Sequence, residues 1–373
     1  MSVPYSRYCG RSPSVMSNAQ TDTPTAVMKR LLLILSLVAF AACSSETLDS
    51  ADKRQEDSAI RFGNLDTRAA VSAASDITEF AVFAEMNMGE ESSEYVKLLE
   101  NEMVYKENGE WTYANKRYWI DGRTFHFMAV YPYFDPSRVQ PVTLKQSGVE
   151  YSGYQINFDT PTTADQDLLV DMATVYILGE GEKAKNENDE ELETSYPTVN
   201  FDFAHILSKI NLKVAKNGTN ADETIKVTRI VLDGVKQSGA YSCSRSSEYT
   251  ANWVVNDSPK MTISRDMEIV ISKDGTEVLG DGILLIPQTI LGSNSDDSAR
   301  VRLTIRYEYY PQGSNISTIY EASTLLPGET WLANTAYGYS VELDAIDNDI
   351  LFTTPTIKPW GDPQSVGGTI IIH

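Results

Sequence analysis

Val301-Arg302-Leu303-Thr304-Ile305-Arg306-Tyr307-Glu308-Tyr309 is the stretch that best indicates the fold. Its apolar and polar residues alternate without a break, which is the period of a β-strand. We therefore expect the face that carries Leu303, Ile305 and Tyr307 to be buried, and the other face to meet water. No window of the chain repeats apolar residues at helical spacing over a long run.

The same alternation recurs along the chain, and dipeptides such as Asp121-Gly122 and Asn217-Gly218 predict the turns between strands. Many short strands separated by such turns indicate an all-β protein built from β-sandwiches. The other alternating stretches are Phe80–Ala84, Phe125–Tyr131 and Tyr337–Leu343.

Two further stretches depart from simple alternation. Ile283–Ile286 is a continuous apolar run, which predicts a strand buried on both faces. Phe201 and Phe203 share one phase, whereas Ile210 and the apolar residues after it follow the opposite phase. We expect a β-bulge or a single helical turn across 204–209 to bring both sets to a common buried face.

The segment from Met28 to Cys43 has the form of an export signal. Two basic residues precede the apolar run Leu31–Phe40, and small residues precede the cysteine. The run is shorter than the roughly 20 residues that a membrane-spanning helix needs. We predict a lipoprotein signal peptide over 28–42, cut between Ala42 and Cys43, with lipid on Cys43; an ordinary signal peptide with an incidental cysteine is the alternative. Residues 1–27 are interpreted as a non-native or disordered upstream extension, and 43–58 as a flexible polar tether.

Charge and cysteine content argue against nucleic acid as a partner and against a stabilising disulfide. The 373-residue chain has a formal net charge of −21 and three cysteines. Nucleic acid is not an expected partner, because its phosphates require Lys and Arg. With Cys9 lost and Cys43 lipidated, Cys243 has no cysteine to pair with, so we expect the exported part to be stable without a disulfide.

The sequence contains no recognisable catalytic motif. Its three histidines are His126, His205 and His373, and no zinc, nucleophile-elbow or phosphate-loop motif is present. We therefore predict no enzyme activity, no cofactor and no metal, and a structural role for His126 and His205. The acidic stretch 182–193 is interpreted as a solvated loop rather than a calcium loop, and as the rough boundary between two domains.

Several segments together resemble one family, the fimbrillins of Bacteroidetes, which are pilin-type surface lipoproteins similar to minor-fimbria subunits. The segments that carry the resemblance are Ala59–Phe62 with Asp66–Ala69, Ile77–Ala84, Tyr118-Trp119 with Phe125–Pro132, Phe201–Ile210, Ile286–Thr289 and Pro359-Trp360. The resemblance implies two transthyretin-like β-sandwich domains, over 59–195 and 196–373. It also implies a structural subunit or accessory adhesin of cell-surface pili, carried to the outer membrane by the lipid on Cys43.

The resemblance further implies a mode of assembly. A protease cuts after Arg68, the first strand leaves, and a strand from another subunit fills its place by β-augmentation. Thr369-Ile370-Ile371-Ile372 is the expected donor strand. The partners are then other pilin subunits and a host or bacterial surface ligand. The alternative is a monomeric glycan-binding surface lipoprotein that uses aromatic residues such as Trp111, Trp119 and Trp360.

Overall fold

The computed structural model describes residues 57–67, 77–88, 95–133, 142–149, 151–159, 167–217, 223–245, 249–290, 300–328, 330–344, 349–352 and 356–359. Their regular structure consists of β-strands, so the predicted all-β class is confirmed. The described residues from Ser58 onward form one compact unit. Within the described ranges, no helix has the length and apolar character needed to span a bilayer.

The strands are numbered in chain order. The first eight are β1 (Arg61–Thr67), β2 (Glu79–Asn87), β3 (Tyr95–Glu107), β4 (Glu110–Tyr113), β5 (Arg123–Tyr131), β6 (Val142–Val149), β7 (Tyr151–Asp159) and β8 (Leu169–Ile177). The next eight are β9 (Lys185–Asn186), β10 (Thr198–His205), β11 (Ser208–Lys216), β12 (Thr224–Lys236), β13 (Ser238–Arg245), β14 (Tyr249–Val255), β15 (Lys260–Val270) and β16 (Thr276–Glu277). The last eight are β17 (Ile283–Leu285), β18 (Gln288–Thr289), β19 (Arg302–Tyr310), β20 (Thr318–Leu325), β21 (Thr330–Trp331), β22 (Thr335–Asp344), β23 (Asp349–Phe352) and β24 (Thr356–Pro359).

The alternating stretches in the C-terminal half behave as predicted. On β19 the side chains of Leu303, Ile305 and Tyr307 are fully buried, and their neighbours are exposed or half-buried. On β22 the residues Tyr337 to Leu343 alternate in the same way. These strands lie in two sheets, of order β16-β11-β22-β23 and β15-β12-β19-β20, whose inner faces share one hydrophobic core, here called the C-terminal core. Side chains from the two sheets therefore pack face to face.

A larger sheet lies in the N-terminal half, with the order β1-β10-β8-β5-β2-β3-β4 and β9 paired to β8. Its inner face carries a second, aromatic-rich hydrophobic core, here called the N-terminal core. Its outer face packs against the sheet of order β14-β13-β7-β6 through a third core, here called the middle core. We expected β2 and β5 to be buried on one face only, but Phe83 and Met128 enter the middle core while Phe80 and Phe127 enter the N-terminal core.

The run 283–286 is buried on both faces, as predicted. Ile283 and Leu285 belong to the C-terminal core, whereas Leu284 and Ile286 belong to the middle core. The alternation of a strand is what sends successive side chains into different cores.

The predicted bulge or helical turn across 204–209 is wrong. The chain leaves β10 in the N-terminal sheet and enters β11 in a C-terminal sheet after two buried residues, Ile206 and Leu207. The phase slip arises because Phe203 and Ile210 belong to different cores, so no common face exists.

The division into two transthyretin-like domains stays a prediction, and the sheets cross its boundary after residue 195 in two places. β10 lies beyond that boundary but pairs with β1 and β8. β13 also lies beyond it and pairs with β7.

Candidate assembly site at the first strand

The first strand lies at one edge of the N-terminal sheet. β1 pairs in parallel with β10, from Arg61 opposite Thr198 to Thr67 opposite Phe203. In the described residues β1 has no second neighbouring strand over this length. An edge strand that pairs on one side can be exchanged for another strand of similar shape, because backbone hydrogen bonds do not depend on sequence.

Apolar side chains fix β1 to the inner face of the sheet. Ile60, Phe62 and Leu65 are buried in the N-terminal core, with relative exposures of 1%, 5% and 9%. The ring centroid of Phe62 lies 5.3 Å from that of Tyr113 and 6.0 Å from that of Phe201. It also makes edge contacts with Phe80 and Phe127, at 6.3 and 6.2 Å. Phe62 is therefore enclosed by four rings from four different strands.

A second contact holds the beginning of the strand. The backbone N–H of Ile60 donates to the carbonyl of Arg117, and the N–H of Trp119 donates to the carbonyl of Ser58, both at 2.8 Å. The Tyr113 hydroxyl donates to the carbonyl of Ile60 at 3.0 Å and accepts the Arg117 N–H at 3.0 Å. Burial raises the pKa of this phenol against the opposing effect of the Arg117 hydrogen bond, so the hydroxyl stays protonated and can donate.

Basic side chains lie near this end of the strand. The Lys116 ammonium lies 4.4 Å from the centroid of the Tyr113 ring, a cation–π contact. Burial lowers the pKa of Lys116, and the nearby charge of Arg61 lowers it further. The Arg117 guanidinium donates to the carbonyl of Leu98 at 2.8 Å, which ties the segment after β4 to β3.

Residues 58–60 and β1 together fill a groove with an aromatic floor, here called the β1 groove; one wall pairs with β1 and the other bonds residues 58–60. Its walls are β10 and the segment 117–119, and its floor is formed by Tyr113, Phe80, Phe127 and Phe201. Without β1, unpaired backbone groups and apolar rings would face water, and both are costly.

The site residues predicted from sequence fall outside the described residues. They are Ala42, Cys43, Arg68, and the donor strand Thr369, Ile370, Ile371 and Ile372. Arg68 directly follows Thr67, the last residue of β1.

The two described histidines have structural contacts. His126 Nδ1 lies 3.1 Å from Thr174 Oγ1, and burial lowers the His126 pKa to about 4. His205 Nδ1 lies 2.8 Å from Asp167 Oδ2, at the point where the chain leaves β10. Among the described residues, no group of three or more His, Cys, Asp or Glu side chains is placed to hold a metal ion.

The tryptophans considered for glycan binding are part of the core or its margin. Trp119 is 4% exposed and packs edge-on against Phe125, with centroids 4.8 Å apart. Trp111 packs edge-on against Phe80 at 5.0 Å, and the Lys106 ammonium lies over the Trp111 ring, 4.7 Å from its centroid. Trp360 lies outside the described residues.

Sequence reasoning identified the first strand but missed what holds it. The contacts of Ser58 and Ile60 with Arg117 and Trp119 join segments distant in the chain, and no motif marks them. Tyr113 gave no signal either, because it ends a short strand with little alternation of its own.

Comparisons with known proteins show what the chain is similar to. A sequence model of a family described as fimbrillin-like matches residues 67–360, so the match begins at the last residue of β1. No curated protein matches the sequence significantly. A fimbrial protein from Bacteroides vulgatus ATCC 8482 has the same fold, with a TM-score of 0.58 and 20% identity over 81% of this chain and 99% of its own. A candidate cell adhesion protein from Bacteroides ovatus ATCC 8483 is 16% identical, with a TM-score of 0.43 over 81% of this chain and 96% of its own.

Proposed function

Because this chain belongs to the fimbrillin-like family, we propose that it is a structural subunit or accessory adhesin of cell-surface pili, assembled by exchange of its first strand. The observation that carries the proposal is the β1 groove: one edge strand seals a slot lined by four aromatic rings. That strand ends directly before an arginine, Arg68.

The proposed pathway begins with export of the precursor. The signal peptide 28–42 is removed, lipid on Cys43 holds the precursor at the cell surface, and the tether 43–58 separates the folded part from the membrane. A trypsin-like protease then cuts after Arg68, which detaches the lipid and β1 together from the rest of the chain. A subunit that is never cut stays lipidated and serves as an anchor.

Loss of β1 provides the driving force for assembly. Burial of a large apolar side chain contributes about 1.5–3 kcal/mol, and β1 buries Ile60, Phe62 and Leu65. The emptied groove also leaves backbone groups of β10 unpaired. A strand from another subunit restores both kinds of contact by β-augmentation. Thr369–Ile372 is the proposed donor, because its residues are β-branched and it follows the pair Gly367-Gly368 in the sequence.

Replacing Arg68 tests the processing step. We expect wild-type filaments to give an oligomer ladder on gels after mild heating, and Arg68→Gln to leave the chain uncut, lipidated and without that ladder. Arg302→Gln is the matched control, because Arg302 is an exposed arginine on β19. N-terminal sequencing of purified filaments should give Ala69 as the first residue. Filaments whose subunits begin at Cys43, or normal ladders from Arg68→Gln, would refute the proposal.

The donor strand has its own test. Deletion of 367–373 should leave cleavage after Arg68 intact and stop polymer growth. Unchanged polymerisation would exclude this segment as donor.

A monomeric glycan-binding lipoprotein is the competing function. It is less favoured, because Trp119 and the ring of Trp111 pack against core aromatics instead of forming an open platform. Polysaccharide binding by a chain that forms no ladder would favour it over pilus assembly.

A further inference from the structure

The pairing of β1 with β10 contains one irregularity. Arg61 and Phe62 stand opposite Thr198 and Val199, and the register resumes with Leu65 opposite Phe201. Gly63 and Asn64 together therefore stand opposite the single residue Asn200. This is a β-bulge, with two residues on one strand against one on its neighbour.

The bulge changes which positions face the core. In a regular strand, inward residues fall at every second position, so an inward series from Ile60 would continue at 62 and 64. Among the side chains that the structure describes, the core residue that follows Phe62 is Leu65, three positions further on, as the register shift requires. The groove thus has three apolar subsites, which hold Ile60, Phe62 and Leu65. The second follows the first by two residues, and the third follows the second by three.

The groove also restricts the residue after the second subsite. A Cβ atom at Gly63 would lie 2.5 Å from Asn200 Oδ1 and 2.5 Å from Thr198 Cγ2. Both are exposed side chains on β10, but both would have to turn away at once. Threonine resists this turn because its χ1 angle is restricted. Glycine is therefore the residue that fits this position without rearrangement.

We propose that the β1 groove selects its incoming strand by this spacing: apolar, any, apolar, glycine, any, apolar, running parallel to β10. The inference rests on the proposed strand exchange and names the chemistry of the partner strand. The second wall adds a requirement at the strand's beginning, where Arg117 and Trp119 offer a backbone acceptor and a backbone donor.

The pattern occurs once in the 373 residues, at Ile60–Leu65 itself. The proposed donor Thr369–Ile372 places Ile370 and Ile372 at the spacing of the first two subsites, but His373 follows where the groove fits glycine. A strand from a different subunit that carries the full pattern should therefore bind more tightly than this segment.

A residue swap in the intact chain tests the spacing independently of cleavage. Asn64→Leu combined with Leu65→Asn keeps composition and length but gives regular spacing. We expect amide hydrogen exchange of β1 to become about 10- to 100-fold faster, because one buried leucine loses its site. The single variant Asn64→Ala is the control and should change exchange less than threefold. Equal protection in the swap variant and the wild type would overturn the inference.

Peptide binding gives the second measurement. Protein cut after Arg68 and freed of its first strand is titrated with fluorescent peptides of 57–67, of the same segment with the 64/65 swap, and of 366–373. The wild-type 57–67 peptide should bind about 10- to 100-fold more tightly than the swapped one. Equal affinities would overturn the inference while leaving strand exchange intact. A third outcome is that no peptide binds while the intact swap variant loses protection from amide hydrogen exchange. That outcome would refute the proposed strand exchange, and the spacing would then matter only for folding of β1 within its own chain.

Discussion

Replacement of Phe62 by alanine tests whether β1 is held mainly by its apolar face. The Phe62 side chain is 5% exposed and lies within 6.3 Å, centroid to centroid, of four other rings. Truncation of a buried phenylalanine to alanine costs about 3–5 kcal/mol, because the transfer energy is lost and a cavity remains. At about 4 kcal/mol, β1 would detach roughly a thousandfold more often.

Two measurements on the uncut protein check this value. Urea unfolding gives the change in the free energy of unfolding, and amide hydrogen exchange of Arg61–Thr67 reports detachment of β1 alone. Arg61→Ala is the matched control, since Arg61 lies next to Phe62 but is exposed. We expect that control to stay within about 0.5 kcal/mol of the wild type. A change below about 1 kcal/mol for Phe62→Ala would refute the view that aromatic packing holds the strand.

Three further predictions concern side chains away from the β1 groove. Burial lowers the His126 pKa to about 4, below its unfolded value near 6.5. The neutral histidine therefore contributes fully to the free energy of unfolding above pH 6.5, and this contribution is lost as the pH falls to 4. Between pH 6.5 and 4, urea unfolding should show that the wild type loses up to about 3 kcal/mol more stability than His126→Asn. Burial raises the Cys243 pKa to about 12, so mass mapping should show this thiol unmodified by iodoacetamide at pH 8 until the protein is unfolded. Trp331→Phe removes the donor to Tyr339 Oη at 2.9 Å in the C-terminal core, and chemical unfolding should show a loss of about 1–3 kcal/mol.

The parts of the fold that the sequence predicted correctly are those set by local alternation. β19 and β22 each bury one face, so the polarity of successive residues reports that face directly. The run at β17 was also interpreted correctly, because both its faces meet apolar partners.

The errors arose where burial depends on a distant layer. The sequence of β5 carries the sign of burial on both faces, because its outer positions Met128 and Val130 are apolar, but the alternation of the aromatic residues predicts one wet face. The phase slip before β11 has the pattern of a local irregularity, because sequence cannot show that two adjoining strands belong to different sheets.

Only part of the candidate site could be predicted from the sequence. The family resemblance indicated the first strand through Ile60 and Phe62, but the bulge after Phe62 depends on its pairing with Asn200. The backbone hydrogen bonds of residues 58–60 with Arg117 and Trp119 form because the segment after β4 folds back beside them, and no local sequence pattern predicts this.

The two-residue crossing from β10 to β11 has a mechanical consequence. β10 is one wall of the β1 groove, and β11 is paired along nine residues with β22 in the C-terminal half. If the proposed fibre forms, force on a bound strand would reach the C-terminal half through the crossing Ile206-Leu207 and through the middle core, which also holds Leu284 and Ile286. The short crossing, which also causes the phase slip in the sequence, would thus limit stretching of the subunit between β10 and β11.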